Sequence, residues 1–483
     1  MPPAGTRPSF VLLHTHTAAL TAAMVAAGLA LTACGGGSNA GGTGEVGAAP
    51  LKVDTTYGAS GTVTLHLGTP WSATLGVQAD GKVLVANTKV IAPIPSPNAG
   101  GLPTQQPVVT RLGTDGAVDR AFGQNGEVRF TVKGSDSTVS VQPQANGRIL
   151  MAVMAHEPCT IRSFQEQCLT ASGVTDTWHY TVVGLTPAGM LDSSFGAQGI
   201  AEGFRVPLMY PLHMAVQADQ KLLLLTSTDL VPMQVFGRRV RRLSADGSPD
   251  VAFNQEHAEQ TAPPCAASGH AILPLPNGSI ITAGALGNRV YETPTADPGL
   301  CIAVHAGGTQ AQTSGGWFSF GETLKEYQLQ PHADGGFAIA ARTCGVSICR
   351  LSIARFRADG TVNPSFGDRG IARVAVPAQY SLKSFFTQPD GAMVTFGAAA
   401  EGPVPSGPGS RYRAVWAGLK ADGSPDTRFG AQGVTVQALA DAEPLVVLTD
   451  GAGRWLAAST AWDAAGNAAL KIERTTGTSA RNP

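Results

Sequence analysis

The chain has 483 residues, of which 43% are hydrophobic and 14% charged, against about 25% charged in an average soluble domain. Its 33 basic and 34 acidic residues leave a net charge of −1, which excludes a whole-chain electrostatic case for nucleic acid or an anionic membrane surface as partner. The 59 glycines and 33 prolines make it turn-rich without a disordered or collagen-like composition.

Residues 1–33 read as an address rather than a fold. Arg7 is the one basic residue ahead of an apolar stretch from Val11 to Ala33, interrupted by His14 and His16. Thr17 to Ala33 is short for a membrane span. A charged start, an apolar middle and a small-residue end describe a secretory signal peptide. The ending Leu31-Thr32-Ala33-Cys34 resembles the bacterial lipobox. That resemblance implies a diacylglyceryl thioether on Cys34, which would become the mature amino terminus. Gly35 rather than Asp follows the cysteine, which in the lipoproteins it resembles implies export to the outer membrane. Residues 34–50, beginning Cys34-Gly35-Gly36-Gly37-Ser38, read as a flexible tether. The tether contains a formal G-x-G-x-x-G from Gly42 to Gly47, but no strand pattern precedes it and no helix pattern follows, so it is no dinucleotide site.

From Leu51 the chain repeats. One unit is an Asp-Gly turn, an Asp, then Phe-Gly, two residues and Gly. It appears at Asp115-Gly116, Asp119, Phe122-Gly123 and Gly126, and at Gly189, Asp192, Phe195-Gly196 and Gly199. It returns around Asp246-Gly247, Asp359-Gly360 and Asp422-Gly423. A second unit alternates with it: a turn followed by a nearly continuous apolar run. Examples are Asp80-Gly81 before Lys82–Ala86, Asn146-Gly147 before Arg148–Ala152, and Asp390-Gly391 before Ala392–Phe396. Seven copies recur at a period of about 60 residues, the mark of a repeat architecture. Asp-Gly and Asn-Gly between apolar strands signal hairpins, because these residues tolerate positive φ. Continuous apolar runs suit strands buried on both faces. Four strands per period, repeated radially, predict an all-β seven-bladed β-propeller over residues 51–477, with 478–483 a tail.

The two ends are complementary. Asp54 to Gly61 is the tail of a unit without its head, and Leu470 to Gly477 is a head without its tail. Together they predict that the amino-terminal strand completes the seventh blade and closes the ring, which removes open sheet edges. The repeat resembles the delta-60 repeat β-propeller family over about residues 51–477. That resemblance implies the same propeller fold and an exported bacterial protein, and carries over no catalytic residues. The fourth unit, Gly315 to Gly321, departs from the pattern, and the seventh lacks a tidy turn.

Beyond Cys34 the cysteines are Cys159, Cys168, Cys265, Cys301, Cys344 and Cys349. An even number in an exported chain suggests disulfides. Close spacing favours pairing Cys159 with Cys168 and Cys344 with Cys349, which leaves Cys265 with Cys301. No C-x-x-C or ligand-spaced histidine supports zinc. The D-G-x-x-D turns offer too few oxygens for calcium and already have a turn role. Gly76 to Val83 is one residue short of a Walker A motif and leads into a strand pattern. No catalytic triad motif is present, and no cofactor or metal is expected.

In an up-and-down blade both Asp-Gly turns fall on one face of the disc. The loops between second and third strands and the connectors between blades fall on the other. All the length variation lies in this second set, including 90–107, 155–176, 286–299, 400–413 and the connector 254–269. Variable loops on a rigid scaffold are where binding residues concentrate. Candidates on this loop face are Trp178, His179, Tyr180, Arg238, Arg239, Tyr291, Arg411 and Tyr412. The expected function is a lipid-anchored envelope module that binds a protein or glycan through this face. The alternatives are a propeller enzyme, of quinoprotein or polysaccharide-cleaving type, and an assembly partner of an envelope complex. Paired carboxylates with a role and the repeated Trp docking pattern of quinoproteins are both missing, so the sequence favours binding over catalysis.

Overall fold

The computed structural model describes residues 52–67, 73–92, 104–130, 135–156, 169–170, 173–174, 178–206, 213–227, 238–255, 271–285, 299–306, 314–401, 410–430, 432–440, 442–450, 454–463 and 467–476. They form a seven-bladed β-propeller of antiparallel sheets. The first blade comprises Thr74–Val77, Val83–Ala92, Thr104–Leu112 and Glu127–Arg129, and the second Ser135–Pro143, Ile149–His156, Trp178–Leu185 and Ile200–Val206. Three strands of the third lie among the described residues: His213–Val216, Leu222–Ser227 and Arg238–Leu243. The fourth comprises Ala271–Pro274, Ile280–Ala285, Leu300–His305 and Ser314–Phe318, and the fifth Thr323–Pro331, Phe337–Cys344, Cys349–Phe356 and Ile371–Ala375. The sixth comprises Tyr380–Thr387, Met393–Glu401, Arg411–Leu419 and Val434–Ala440, and the seventh begins with Ala442–Thr449, Arg454–Trp462 and Ala468–Thr476.

The amino-terminal segment completes the seventh blade. Thr62–Leu65 pairs antiparallel with Leu470–Glu473, and Lys52–Val53 with Thr475–Thr476. The first strands of successive blades touch one another around the whole ring, including seventh to first. The complementary half-repeats therefore form one blade, as their sequences predict. The fourth unit, despite its poor match, also makes its outer strand, with Ser314–Phe318 paired to Leu300–Val304.

The core lies between blades rather than at a single centre. Val83, Leu84, Val85 and Ala86 of one second strand are all fully buried. Leu84 and Ala86 pack with Val141, Ile149 and Met151 of the second blade, whereas Val83 and Val85 pack toward the seventh. Alternate residues thus serve opposite neighbours, which is why the apolar run is continuous.

The recurring residues of the repeat tie each blade to the next. The glycine after the aromatic residue donates its N–H to a carbonyl in the next blade's outer turn. Gly58 donates to Asp115 at 2.6 Å, Gly123 to Ala188 at 2.9 Å, Gly196 to Asp246 at 2.6 Å and Gly367 to Asp422 at 2.8 Å. The turn glycine lies against the aromatic ring of the preceding blade. A Cβ on Gly247 would come within 2.9 Å of both the Phe195 ring and the Gly196 nitrogen, so only glycine fits there.

An arginine adds a second tie. The Arg111 Nε lies 2.9 Å from Asp119, its guanidinium covers the Phe122 ring at 4.4 Å, and Nη1 donates to the Pro187 carbonyl of the next blade. Arg474 repeats the device across the closure, with Asp54 at 2.8 Å, the Tyr57 ring at 4.5 Å and the Thr114 carbonyl. Arg148 reaches Asp192 at 2.6 Å and the Ala245 carbonyl, and Arg355 reaches Asp334 at 2.6 Å and the Ala421 carbonyl. These pairs also bring the two turns of a blade together: Lys82, after the inner turn, lies 3.3 Å from Asp119, after the outer one. Both sets of Asp-Gly turns therefore share one face of the disc.

Candidate functional site

The polar chemistry of the turn face is committed to the fold. Asp115 Oδ1 accepts from the Ala117 N–H and Asp246 Oδ1 from the Ser248 N–H, closing the turns. The second Asp of the repeat faces arginine. The Ser194 hydroxyl and the Arg148 guanidinium outweigh burial and hold the Asp192 carboxyl below its ordinary value. At Asp119 burial pushes the other way, but the Ala121 N–H, Arg111 and Lys82 together keep the carboxyl low. Phe122, Phe195 and Phe366 are fully buried between blades.

The opposite face is different in kind. It holds the outer ends of the second strands, the starts of the third strands, and the blade-to-blade connectors. In the fifth blade the hairpin joining Phe337–Cys344 to Cys349–Phe356 is closed by a Cys344–Cys349 disulfide, one of the pairs expected from spacing. Gly345 N–H donates to the Ile348 carbonyl at 2.9 Å across the tip. The tip turns its apolar side chains outward: Val346 is fully exposed and Ile348 58% exposed. Among the described residues these two β-branched side chains form a small apolar patch on a pinned hairpin.

Beside this hairpin, two blade seams carry ionisable groups. Glu326, from the first strand of the fifth blade, accepts from the Leu382 N–H at 2.6 Å and the Ser381 hydroxyl at 3.2 Å in the sixth. Arg342 approaches it at 3.6 Å. The neighbouring Glu322 accepts from the buried Thr343 hydroxyl at 2.7 Å and lies 3.4 Å from Arg350. At the next seam Glu443, at the start of the seventh blade, is pushed above the usual carboxylate range by burial, with Lys383 opposing. Tyr412 is pushed up to about 12, by burial first and the Glu443 charge second. The half-buried Glu443 and Lys383 place a carboxyl with raised proton affinity and an ammonium group at this seam, which can donate and accept hydrogen bonds to a polar partner, while the Tyr412 phenol is buried behind them.

The predicted contact residues separate into four groups. Arg411 is exposed at the start of its strand. Tyr180 and Tyr412 are buried, at 2% and 6% exposure, so their expected exposure is corrected. Both alternate inward on strands packed between two neighbouring blades. Trp178, His179, Arg238 and Arg239 lie on strand backbones paired at His156, Ala155, Ser227 and Thr226, and their side chains are outside the described residues. Tyr291, Cys34, Cys159, Cys168 and Cys265 lie outside the described residues altogether. Cys301 is disulfide-bonded. Sequence reasoning missed Glu326, Lys383 and Glu443. Their only signal was a charged residue near the start of a first strand, where the apolar pattern is interrupted.

No family model matches the chain, and no curated protein matches it. Among solved structures it is similar to a protein of unknown function from Dyadobacter fermentans, at 15% identity and a TM-score of 0.40, covering 70% of this chain and 94% of that one. It is also similar to the polysaccharide lyase Uly1, at 10% identity and a TM-score of 0.45, covering 87% and 92%. A third is the NanB sialidase of Streptococcus pneumoniae, at 9% identity and a TM-score of 0.33, covering 88% and 69%. At these identities and scores no property of those proteins is carried to this chain.

Proposed function

We propose that the chain is a lipid-anchored cell-envelope propeller of the delta-60 repeat kind that binds a protein or glycan partner through its loop face. The observation that carries this reading is the asymmetry between the two faces. The recurring Asp, Arg and Phe of the repeat are engaged in blade-to-blade ties, while the loop face presents exposed Val346 and Ile348 and carries the Glu326 and Glu443 seams. Cys34 supplies the anchor and residues 35–50 the reach from the membrane.

The test uses the tagged full-length chain in envelope extract, with cross-linking and capture. The Val346→Ser/Ile348→Ser variant and the Lys383→Met/Glu443→Gln variant are run beside wild type. A partner captured by wild type and lost from either variant, with thermal melts unchanged, supports the loop face. Equal capture by all three chains overturns it. Metabolic labelling with a fatty-acid analogue tests the anchor separately. Cys34→Ala is expected to abolish labelling, and persistent labelling refutes lipidation at Cys34.

A further inference from the structure

A second surface, on the outer edge of the closure seam, gathers positive charge that the fold does not neutralise. An open groove of about 1090 Å³ lies there, bounded by the amino-terminal strand of the seventh blade and the fourth strand of the first. Its walls carry His66, Lys89, Arg120 and Arg129 beside a single carboxylate, Glu127. Glu127 lies 2.8 Å from both Lys89 and Arg129. It holds these two cations on the groove wall and neutralises only one of them. Arg120 is exposed, and no carboxylate among the described residues lies within ion-pair distance of it. The groove therefore keeps a positive excess on a chain whose net charge is −1.

The remaining lining is mixed. The exposed amides of Gln124 and Asn125 offer neutral donors and acceptors, and Val118 and Met190 add exposed apolar surface, at 41% and 64%. Among the described residues no Phe, Tyr or Trp lines the groove, and its one aromatic ring is the His66 imidazole, so it offers no run of rings on which successive bases would stack. A groove of this size is at or above the upper end of the roughly 300–1,000 Å³ typical of small-molecule sites. Guanidinium groups for anions, amides for hydroxyls and aliphatic groups for C–H faces together match a charged sugar chain.

We propose that the closure-seam groove binds an acidic oligosaccharide. Its carboxylate or sulfate groups are held by Arg120 and Arg129, whose planar donors match either anion, and its hydroxyls are met by Gln124 and Asn125. The site lies between the outer strands of the seventh and first blades and shares no residue with the hairpin and seams described above.

The experiment is affinity electrophoresis of the detergent-solubilised full chain through gels containing polygalacturonate, chondroitin sulfate, neutral dextran or polyphosphate. Wild type is expected to be retarded by at least one of the two acidic glycans at low salt and not by dextran. Arg120→Gln/Arg129→Gln is expected to need about tenfold more polymer for the same retardation, as fits the loss of charged hydrogen bonds. Arg129 also touches Glu127, so the exposed, unpaired Arg120→Glu serves as a second variant that leaves the wall intact. Lys420→Glu, on an exposed turn of the sixth blade, changes the net charge by the same two units as either groove variant and is expected to behave as wild type. Melting curves establish that each variant is folded. Retardation of both groove variants equal to wild type overturns the proposal. So does retardation by polyphosphate alone, or by neither acidic glycan.

Discussion

At the scale of single residues, the repeat is a set of ties between blades rather than a set of turn-formers. Arg474 shows this most directly. It is 4% exposed and joins Asp54, the Tyr57 ring and the Thr114 carbonyl, so one side chain links the two ends of the chain to the first blade. Removing one partner of a buried ion pair costs about 3–5 kcal/mol. Arg474→Met is therefore expected to lower the unfolding free energy by an amount in that range. Asp54→Asn in the same chain should recover part of the loss, and chemical denaturation with both variants measures it.

The aspartates of the ties also set a pH dependence. The Thr56 hydroxyl, then Arg474, holds Asp54 below its ordinary value against the opposing effect of burial, and Ser194 does the same for Asp192. A depressed carboxyl contributes stability that is fully present above its unfolded value, about 3.9. That contribution is lost as pH falls through the lower folded value. Glu443 acts with the opposite sign, because its carboxyl is raised. The lowered aspartates also include Asp119 and Asp250, so they outweigh it. The melting temperature is expected to be flat near neutrality and to fall steeply below about pH 4. A melting temperature unchanged down to pH 2.5 would contradict the role given to these pairs.

At the scale of elements, one departure from the repeat shows what the loop must do. In the third blade a five-residue helix, Val251–Gln255, replaces the Phe-Gly-x-x-Gly loop. Arg111 N–H donates to the Gly126 carbonyl and Arg474 N–H to the Gly61 carbonyl, whereas Arg242 N–H donates to the side-chain oxygen of Asn254. The Asn254 amide returns a hydrogen bond to the Arg242 carbonyl at 3.0 Å. A side-chain amide thus stands in for the missing backbone group, and the strand end stays satisfied. The fifth-blade hairpin exposes Val346 and Ile348 at its tip. Its disulfide closes a loop of a few residues, for which chain entropy gives about 2 kcal/mol. Cys344→Ser/Cys349→Ser should shift the melt by no more than that. Its larger expected effect is on partner capture, because the tip loses its fixed shape.

At the scale of the whole molecule, the ring is closed by the amino-terminal strand. Leu470 and Ile472 are fully buried beneath it, and Thr62–Leu65 covers the edge they would otherwise present. Deleting residues 52–65 removes both strands that pair with Ala468–Thr476, and Tyr57 with its contact to Arg474. The expected outcome is one cooperative transition at lower temperature for the whole domain, seen by calorimetry. An unchanged melt would mean that the seventh blade is stable without its outer strand. The same closure builds the basic groove, since pairing Thr62–Leu65 with Leu470–Glu473 is what sets His66 opposite the fourth strand of the first blade.

Much of this was legible in the sequence because its determinants are local. Asp-Gly turns need positive φ at glycine, continuous apolar runs need two buried faces, and a half-repeat at each end needs its complement. Each of these acts over a few residues or recurs at a regular interval. Period, blade number, closure and the Cys344–Cys349 pairing follow from them. What the tertiary structure alone decided concerns groups brought together from different blades. Tyr180 and Tyr412 resemble exposed loop residues in a linear pattern, yet strand register turns them between blades. Glu326, Lys383 and Glu443 are separate charges until adjacent first strands bring their seams onto one rim. His66 and Arg129 share a groove because the ring closes. Side-chain direction depends on which neighbour a strand faces, and in a propeller that neighbour lies about 60 residues away or at the other end of the chain.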